Sequence, residues 1–317
     1  MPFDRRGAAS GLCAYVVWGL LTINWHQLRH LPAIGLVGQR ILWASVILAT
    51  LASITHRWSG IAVALRTPNV LLRVVVAAML LSANWLCYVW AVTHNNIVET
   101  ALGYFMAPLV TVAIGVVVFH ERLRSLQIVA LALAATAVVV LTIEAGRVPM
   151  FALTLAITWG FYGLIKRTIP LHPIESLAAE TFVLLPVALV IIAIVESHGK
   201  AIHTTASAAQ IMMVIGTGAI TIVPLLSFAF AAPRVPFTVL GPMQYVVPTI
   251  NFLLAVGVYH ERMPLLRVAG FSFVWLALAV FTIDSVVSGR RRQDAPHETV
   301  VVDADPRGQT VGAASPR

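Results

Sequence analysis

The 317-residue chain is 59% hydrophobic and 11% charged, with a formal net charge of +8 and a mean hydropathy of +0.88. Soluble domains carry roughly 25% charged residues, so this composition excludes a water-soluble globular fold and makes the bilayer the solvent for most of the surface. The positive charge is spread over short links between apolar runs, which argues against a nucleic-acid footprint, and Cys13 and Cys87 lie inside apolar runs, which argues against a disulfide framework.

A spanning helix needs about 20 mostly apolar residues. In chain order the sequence predicts ten: 8–25, 34–54, 71–92, 99–119, 125–143, 149–166, 175–195, 209–231, 237–259 and 265–287. The first run follows Asp4, Arg5 and Arg6, continues through Trp25 without a small-residue cleavage site, and reads as a retained span. Barrel strands would alternate over about ten residues; these runs are continuous and rich in Ala, Leu, Val and Ile, so the expected fold is an all-α membrane protein. Placing the N-terminus inside assigns Arg5, Arg6, Arg57, Arg66, Arg73, Arg122, Arg124, Lys166, Arg167, Arg234 and Arg290 to Arg292 to inside links. Only Arg29, Arg40, Arg147, Lys200, Arg262 and Arg267 fall at outside ends. This bias predicts a multi-pass protein of a bacterial-type inner or plasma membrane with both termini cytoplasmic. Residues 289–317 are polar and aperiodic, the composition of a disordered cytoplasmic tail.

His120-Glu121-Arg122 recurs as His260-Glu261-Arg262, 140 positions later, and at the same offset Pro108 meets Pro248 and Ala91 meets Ala231. Trp18-Gly19 and Trp159-Gly160 match at an offset of 141. Both copies of the charged motif follow the fourth span of a five-span half. An odd number of spans per half inverts the second copy, so two inverted five-helix repeats are expected, 1–146 and 147–288, an architecture many secondary transporters use for alternating access.

Asn84-Trp85, Trp90-Ala91-Val92, Glu99, Leu102-Gly103-Tyr104-Phe105, Pro108-Leu109 and Glu121-Arg122 resemble the RarD branch of the EamA-type transporters, in the drug/metabolite transporter superfamily. The second half agrees at Phe161-Tyr162-Gly163-Leu164, Glu180-Thr181, Val223-Pro224-Leu225-Leu226, Leu240-Gly241, Gln244-Tyr245, Pro248-Thr249 and Trp275. The resemblance covers nearly the whole chain apart from the tail. It implies ten helices in two EamA repeats and outward movement of a small solute. The chain departs from the family pattern at Gln39, where a His commonly precedes the Arg, and at His120 and His260, where a Gly commonly precedes the Glu.

A charge within hydrocarbon costs roughly 2.5–3.5 kcal/mol on insertion scales, so Arg40 and Glu180, 140 positions apart, are the first site candidates. Each lies ~9 Å inside its span at 1.5 Å per residue. Inversion then separates them by ~12 Å along the normal of a ~30 Å core. They are expected at opposite ends of one central cavity rather than as an ion pair; snorkelling to headgroups is the alternative. Glu180 is also the candidate for carrying a coupling proton. Asn84 reads either as interhelical glue or as a solute contact. Tyr104, Gln244 and Tyr245 offer hydrogen bonds and ring faces, and Trp18 and Trp90 are further cavity candidates. Pro108, Pro224 and Pro248 free backbone carbonyls and are candidate kinks for gating. Glu99 reads as a helix cap, Glu121 and Glu261 as local partners of Arg122 and Arg262, and Asp284 as a partner of the Arg290 cluster.

No nucleotide-binding loop, HExxH motif or nucleophile elbow occurs, and the histidines lack ligand spacing, so no enzyme, metal or cofactor is expected. The expected partners are the lipid bilayer and a small solute, with protons as the candidate coupling ion. A carrier of a metabolite or drug-like solute, working outward, is the favoured reading; a channel or a non-transporting scaffold or receptor is the alternative.

Overall fold

The computed structural model describes residues 4–28, 31–93, 97–145, 150–198, 206–258, 260 and 265–293. The described residues are helical apart from short connections. In lipid each backbone polar group must be satisfied within its own segment, and a helix achieves this with local bonds alone. The long helices are α1 (Arg5–Leu28), α2 (Ala33–Ile54), α4 (Pro68–Thr93), α5 (Ile97–Phe119), α6 (Ser125–Ala145), α7 (Met150–Thr168), α8 (Pro173–Ser197), α9 (Ala208–Ala231) and α12 (Leu265–Gln293). Shorter ones are α3 (Trp58–Arg66), α10 (Phe237–Met243) and α11 (Val246–Gly257). Among the described residues, six stretches are long and apolar enough to cross a membrane: Ala33–Ile54, Pro68–Tyr88, Leu102–Phe119, Pro173–Ser197, Ala208–Ala231 and Phe237–Leu254. Hydroxyls buried in them bond back to their own helix, as Ser45 does to the Ile41 carbonyl, Thr181 to Leu177 and Thr221 to Thr217.

Three features depart from the expected pattern. The stretch expected as the link after α2 contains α3, a nine-residue helix that buries Ile61 and Ala64. The expected span 237–259 is two helices, because Pro242 and Pro248 interrupt the ladder and the chain crosses the gap with three-residue turns. Gln244 N–H donates to the Gly241 carbonyl, Tyr245 to Pro242 and Val247 to Gln244. Pro248 then sits in the first turn of α11, where an N–H would have no intrahelical partner anyway. The Pro108 and Pro224 candidates, by contrast, lie inside helices that run on through them. Finally, α12 continues to Gln293, so 289–293 is helical rather than tail, because a hydrogen-bond ladder need not stop where the apolar run does. The rest of the expected tail, 294–317, lies outside the described residues, as do Glu261, Arg262 and the Glu99 side chain.

Helices of the first half pack chiefly on helices of the second. The closest partners are α5 with α7, α6 with α12, α2 with α8, α1 with α9, α2 with α9, α4 with α7 and α5 with α10, followed by α1 with α11. Glycines permit two of these approaches. A Cβ on Gly19 would come within 2.8 Å of Ile250, and one on Gly160 within 2.7 Å of Val110. The largest core cluster accordingly joins both halves, with Tyr15, Leu48 and Ala77 from one and Tyr162, Leu177 and Phe228 from the other.

Polar contacts gather helix ends at one face. Asp4 before α1 meets Arg234 after α9 at 3.9 Å, and Arg57 after α2 meets Glu175 of α8 at 3.1 Å. Arg73 of α4 donates to the Thr168 carbonyl at the end of α7, and Arg124 before α6 meets Asp284 of α12 at 3.1 Å. This corner face also contains the α5–α6 and α7–α8 turns.

Candidate functional site

Among the described residues, the α7–α8 hairpin carries the most deeply buried charged side chains. Its turn is set by Pro170, by His172 at the start of α8 and by Pro173 in the first turn. The His172 side chain accepts from Ile174 N–H while Glu175 accepts from His172 N–H. The antiparallel geometry then places Lys166 opposite Ser176 and Tyr162 opposite Glu180. Lys166 donates to Ser176 Oγ at 2.8 Å and to Glu180 Oε1. Ser176 donates to the same oxygen at 2.9 Å, and the Tyr162 hydroxyl donates to Glu180 Oε2 at 3.2 Å. Glu180 is 1% exposed and Lys166 4%. Lys166, read from the sequence as an orientation charge at a span end, is thus the counterion of Glu180.

Arg40 of α2 has different neighbours. Its Nε donates to Thr221 Oγ1 of α9 at 2.7 Å, and its guanidinium lies 4.1 Å from the ring centre of Trp85 in α4. A Cβ on Gly38 would touch Ile192 at 3.0 Å and the Ala188 carbonyl at 3.3 Å. Arg40 therefore lies near the level of Ala188, eight residues or roughly 12 Å from Glu180 at 1.5 Å per residue.

Between these groups a narrow cavity opens among α2, α4, α8 and α9. Its lining contains Ile41 and Thr181, Ala44 and Leu184, Leu81 and Thr221, and Trp85 and Leu225, together with Glu180. Each of these couples is separated by 140 positions. The cavity wall thus joins the hydroxyl that holds Arg40, the indole beneath its guanidinium, and the carboxylate that Lys166 holds.

The other candidates lie around this centre rather than along that lining. Asn84 Nδ2 donates to the Leu155 carbonyl and to Thr158 Oγ1, both at 2.9 Å, joining α4 to α7. Gln244 donates to Thr111 Oγ1 at 2.8 Å and the Tyr245 hydroxyl to the Phe105 carbonyl at 3.1 Å, so both tie the α10–α11 break to α5. Trp18 packs edge-on against Trp159, with centroids 5.0 Å apart, and 6.1 Å from Phe228. Tyr104 is 40% exposed and stands beside Tyr88, while Trp90 is 49% exposed and stands beside Phe151.

At the corner face Glu121 and Asp284 take partners far along the chain. Glu121 turns away from Arg122: Arg167 of α7 donates to its Oε1 at 2.9 Å, as does Phe237 N–H at 3.0 Å, and Thr238 N–H donates to Oε2 at 2.8 Å. Adjacent residues on a turn do not face each other, and His120, with φ 53°, folds the chain back so that Glu121 lies over the end of α5. Its N–H there donates to the Gly115 carbonyl at 3.0 Å. Burial by itself raises the Glu121 pKa, but the Arg167 bond and the two backbone N–H bonds outweigh it and hold the carboxyl below the usual glutamate range. Asp284 pairs with Arg124, across the α6–α12 contact; the side chains of the Arg290 cluster lie outside the described residues.

These features define a multi-pass helical membrane protein whose buried charges are met by other helices and by a central cavity. Comparison with known proteins narrows the class. Residues 5–143 match the EamA-like transporter family. The chain is 39% identical over 301 residues to protein RarD of Streptomyces exfoliatus, covering 94% of this chain and 96% of that one. It is 36% identical to the uncharacterized transporter PA0485 of Pseudomonas aeruginosa, covering 90% and 96%, and 35% identical to protein RarD of Escherichia coli K12, covering 90% and 97%. A protein of known crystal structure, 17% identical, has the same fold with a TM-score of 0.68 over 87% of this chain and 97% of that one. The chain belongs to the RarD-type EamA family of the drug/metabolite transporter superfamily, whose members are membrane transporters and not enzymes.

Proposed function

We propose that the chain is an alternating-access carrier that exports a small metabolite or drug-like solute across the inner or plasma membrane. In this reading it crosses the membrane ten times as two inverted repeats, 1–146 and 147–288, with both termini in the cytoplasm and the corner face on the cytoplasmic side. The observation that carries the reading is the cavity, whose lining couples residues 140 positions apart from the two halves. A site on the axis relating two inverted halves is one that either half can expose in turn. The packing supports the same view, because α1 against α9 is matched by α7 against α4, and Gly19 against Ile250 by Gly160 against Val110.

In this proposal the solute lies over Trp85 and the apolar lining, with Glu180 toward the cytoplasmic end and Arg40 toward the opposite end. Trp18, Trp90, Tyr104, Gln244 and Tyr245 shape the approaches, Asn84 fixes α4 against α7, and Pro108, Pro224 and Pro248 are the bending points. Glu180 is the coupling group, exchanging a proton as Lys166 is released from it.

Purified protein in liposomes is the test, with amino acids, nucleosides, polyamines and amphenicols as solutes; the last are included because a 26% identical relative is named chloramphenicol-sensitive protein RarD. A transported solute should raise the melting temperature by mass action and move faster under an imposed proton gradient. Glu180→Gln should abolish the gradient dependence, and Arg40→Ala should weaken binding. Gradient-driven transport that survives in Glu180→Gln sinks the coupling role. A ligand whose stabilisation is unaffected by either variant sinks the site.

A further inference from the structure

At the corner face, first-half and second-half groups are paired: Arg57 with Glu175, Arg124 with Asp284, Asp4 with Arg234, and Arg73 with the Thr168 carbonyl. The Lys166–Glu180 pair, by contrast, lies within one hairpin of the second half and travels with it. Relative motion of the halves therefore does not by itself break the core pair, which only proton exchange at Glu180 does, but it must part the corner contacts.

Within that set Glu121 has a singular placement. It is one first-half carboxylate bonded to three second-half groups on two separate elements: the Arg167 guanidinium at the end of α7, and the Phe237 and Thr238 N–H groups where α10 begins. Arg167 is fixed there by more than charge, since its guanidinium lies 3.9 Å from the ring centre of Phe119 in the first half and 5.2 Å from that of Phe237 in the second. Room for the carboxylate depends on Gly115, where a Cβ would approach Glu121 Oε2 to 2.8 Å and Phe237 Cβ to 2.9 Å. The α9–α10 corner and the end of α7 are thus clasped to the end of α5 through one side chain. The clasp lies at helix ends, with the Arg167 and Glu121 side chains 9% and 12% exposed, and consists of hydrogen bonds and an ion pair.

We infer that Glu121 is the positioning residue of a gate that closes the cavity on the corner face and opens when its bonds to Arg167, Phe237 and Thr238 part. This rests on the carrier reading given above. Glu121 touches no solute; it sets which side of the cavity is closed.

The test uses the full chain in membrane vesicles, with Cys13 and Cys87 replaced by serine and Thr181→Cys, in the cavity wall, as the reporter. A membrane-impermeant maleimide is applied from either side. With Glu121 present, labelling from the corner face is slow. Glu121→Gln should speed it by on the order of fivefold or more, the usual scale of a conformational coupling, and should slow labelling from the opposite side. Arg167→Gln should act in the same direction. Labelling that rises on both sides means that Glu121 only holds the fold together, and overturns the gate; unchanged labelling overturns it too. Failure of the carrier reading looks different: a solute shown to bind then leaves labelling unchanged from both sides, whether or not Glu121 is present.

Discussion

Lys166 and Glu180 are enclosed within one helical hairpin, whereas the charges of the corner face join separate halves and several remain half-exposed; the Arg124 side chain is 42% exposed and that of Arg57 33%. In the hairpin both ions are fully desolvated, and the loss is offset only because one carboxylate gathers three donors. At the corner face water reaches the Arg124 and Arg57 partners, and exposed pairs contribute only ~0–1 kcal/mol each, while the Glu121–Arg167 pair is more enclosed, at 12% and 9% exposed. The first arrangement specifies one structure. The second closes a surface without making it permanent, which suits contacts that a transport cycle has to break and remake.

The largest expected effect comes from breaking the hairpin pair on one side only. Lys166→Met leaves the Glu180 charge buried with Ser176 and Tyr162 but no counterion, a loss of about 3–5 kcal/mol. Reversible unfolding in mixed detergent should show a drop of that size. The double change Lys166→Met with Glu180→Leu should recover much of it, since two well-packed apolar groups can replace a buried pair. If Lys166→Met unfolds at the wild-type denaturant concentration, Glu180 is met by another cation and the contrast between the two regions disappears.

Glu121 should have an intermediate effect, with a pH signature that the hairpin lacks. Losing charge-assisted bonds to Arg167 and two backbone N–H groups should cost about 1–3 kcal/mol in Glu121→Gln. The folded protein holds this carboxyl below its ordinary pKa. Its contribution is therefore fully present above the unfolded glutamate value and is lost as the pH falls through the lower, folded value. Melting temperature followed downward from pH 7 should fall less steeply in Glu121→Gln than in the wild type across that acid window. Parallel curves would mean that Glu121 is not held as the geometry requires.

The all-helical membrane character of the fold was legible in the sequence, because spans of about 20 apolar residues carry their own signal. The site was legible only in part. Arg40 and Glu180 stand out as charges inside apolar runs, but Lys166 does not, since it adjoins Arg167 and Thr168 at a span end and reads as a headgroup anchor. Its role follows only once the turn at 169–172 is placed, when Tyr162 and Lys166 on one helix face Glu180 and Ser176 on the next. The partners of Glu121 and Asp284 were hidden for a different reason. Sequence neighbours are the easiest partners to assign, yet both carboxylates bond to residues more than 40 positions away. The Gln244 break was hidden because proline in a membrane helix is usually tolerated, as Pro108 and Pro224 are.

The smallest expected effect sharpens the comparison at the corner face itself. His56 ends α2 and His120 ends α5, each exposed and each with φ 53°, a conformation that non-glycine residues adopt at a cost. At His56 the turn is closed by backbone bonds, His56 N–H donating to the Ser53 carbonyl at 3.3 Å and Arg57 N–H to the Ala52 carbonyl at 2.8 Å, and it delivers Arg57 to a single partner, Glu175. At His120 the same turn also delivers Glu121 to its three partners. Glycine relieves the strain in both places but frees the unfolded chain, so a net gain of about 0.5–1 kcal/mol is expected from His56→Gly. The gain from His120→Gly should match it if the turn is strained only by its own backbone. A smaller gain there would mean that the clasp depends on a stiff turn to hold Glu121 in place, and the difference between the two variants, read by thermal unfolding under one set of conditions, measures that dependence directly.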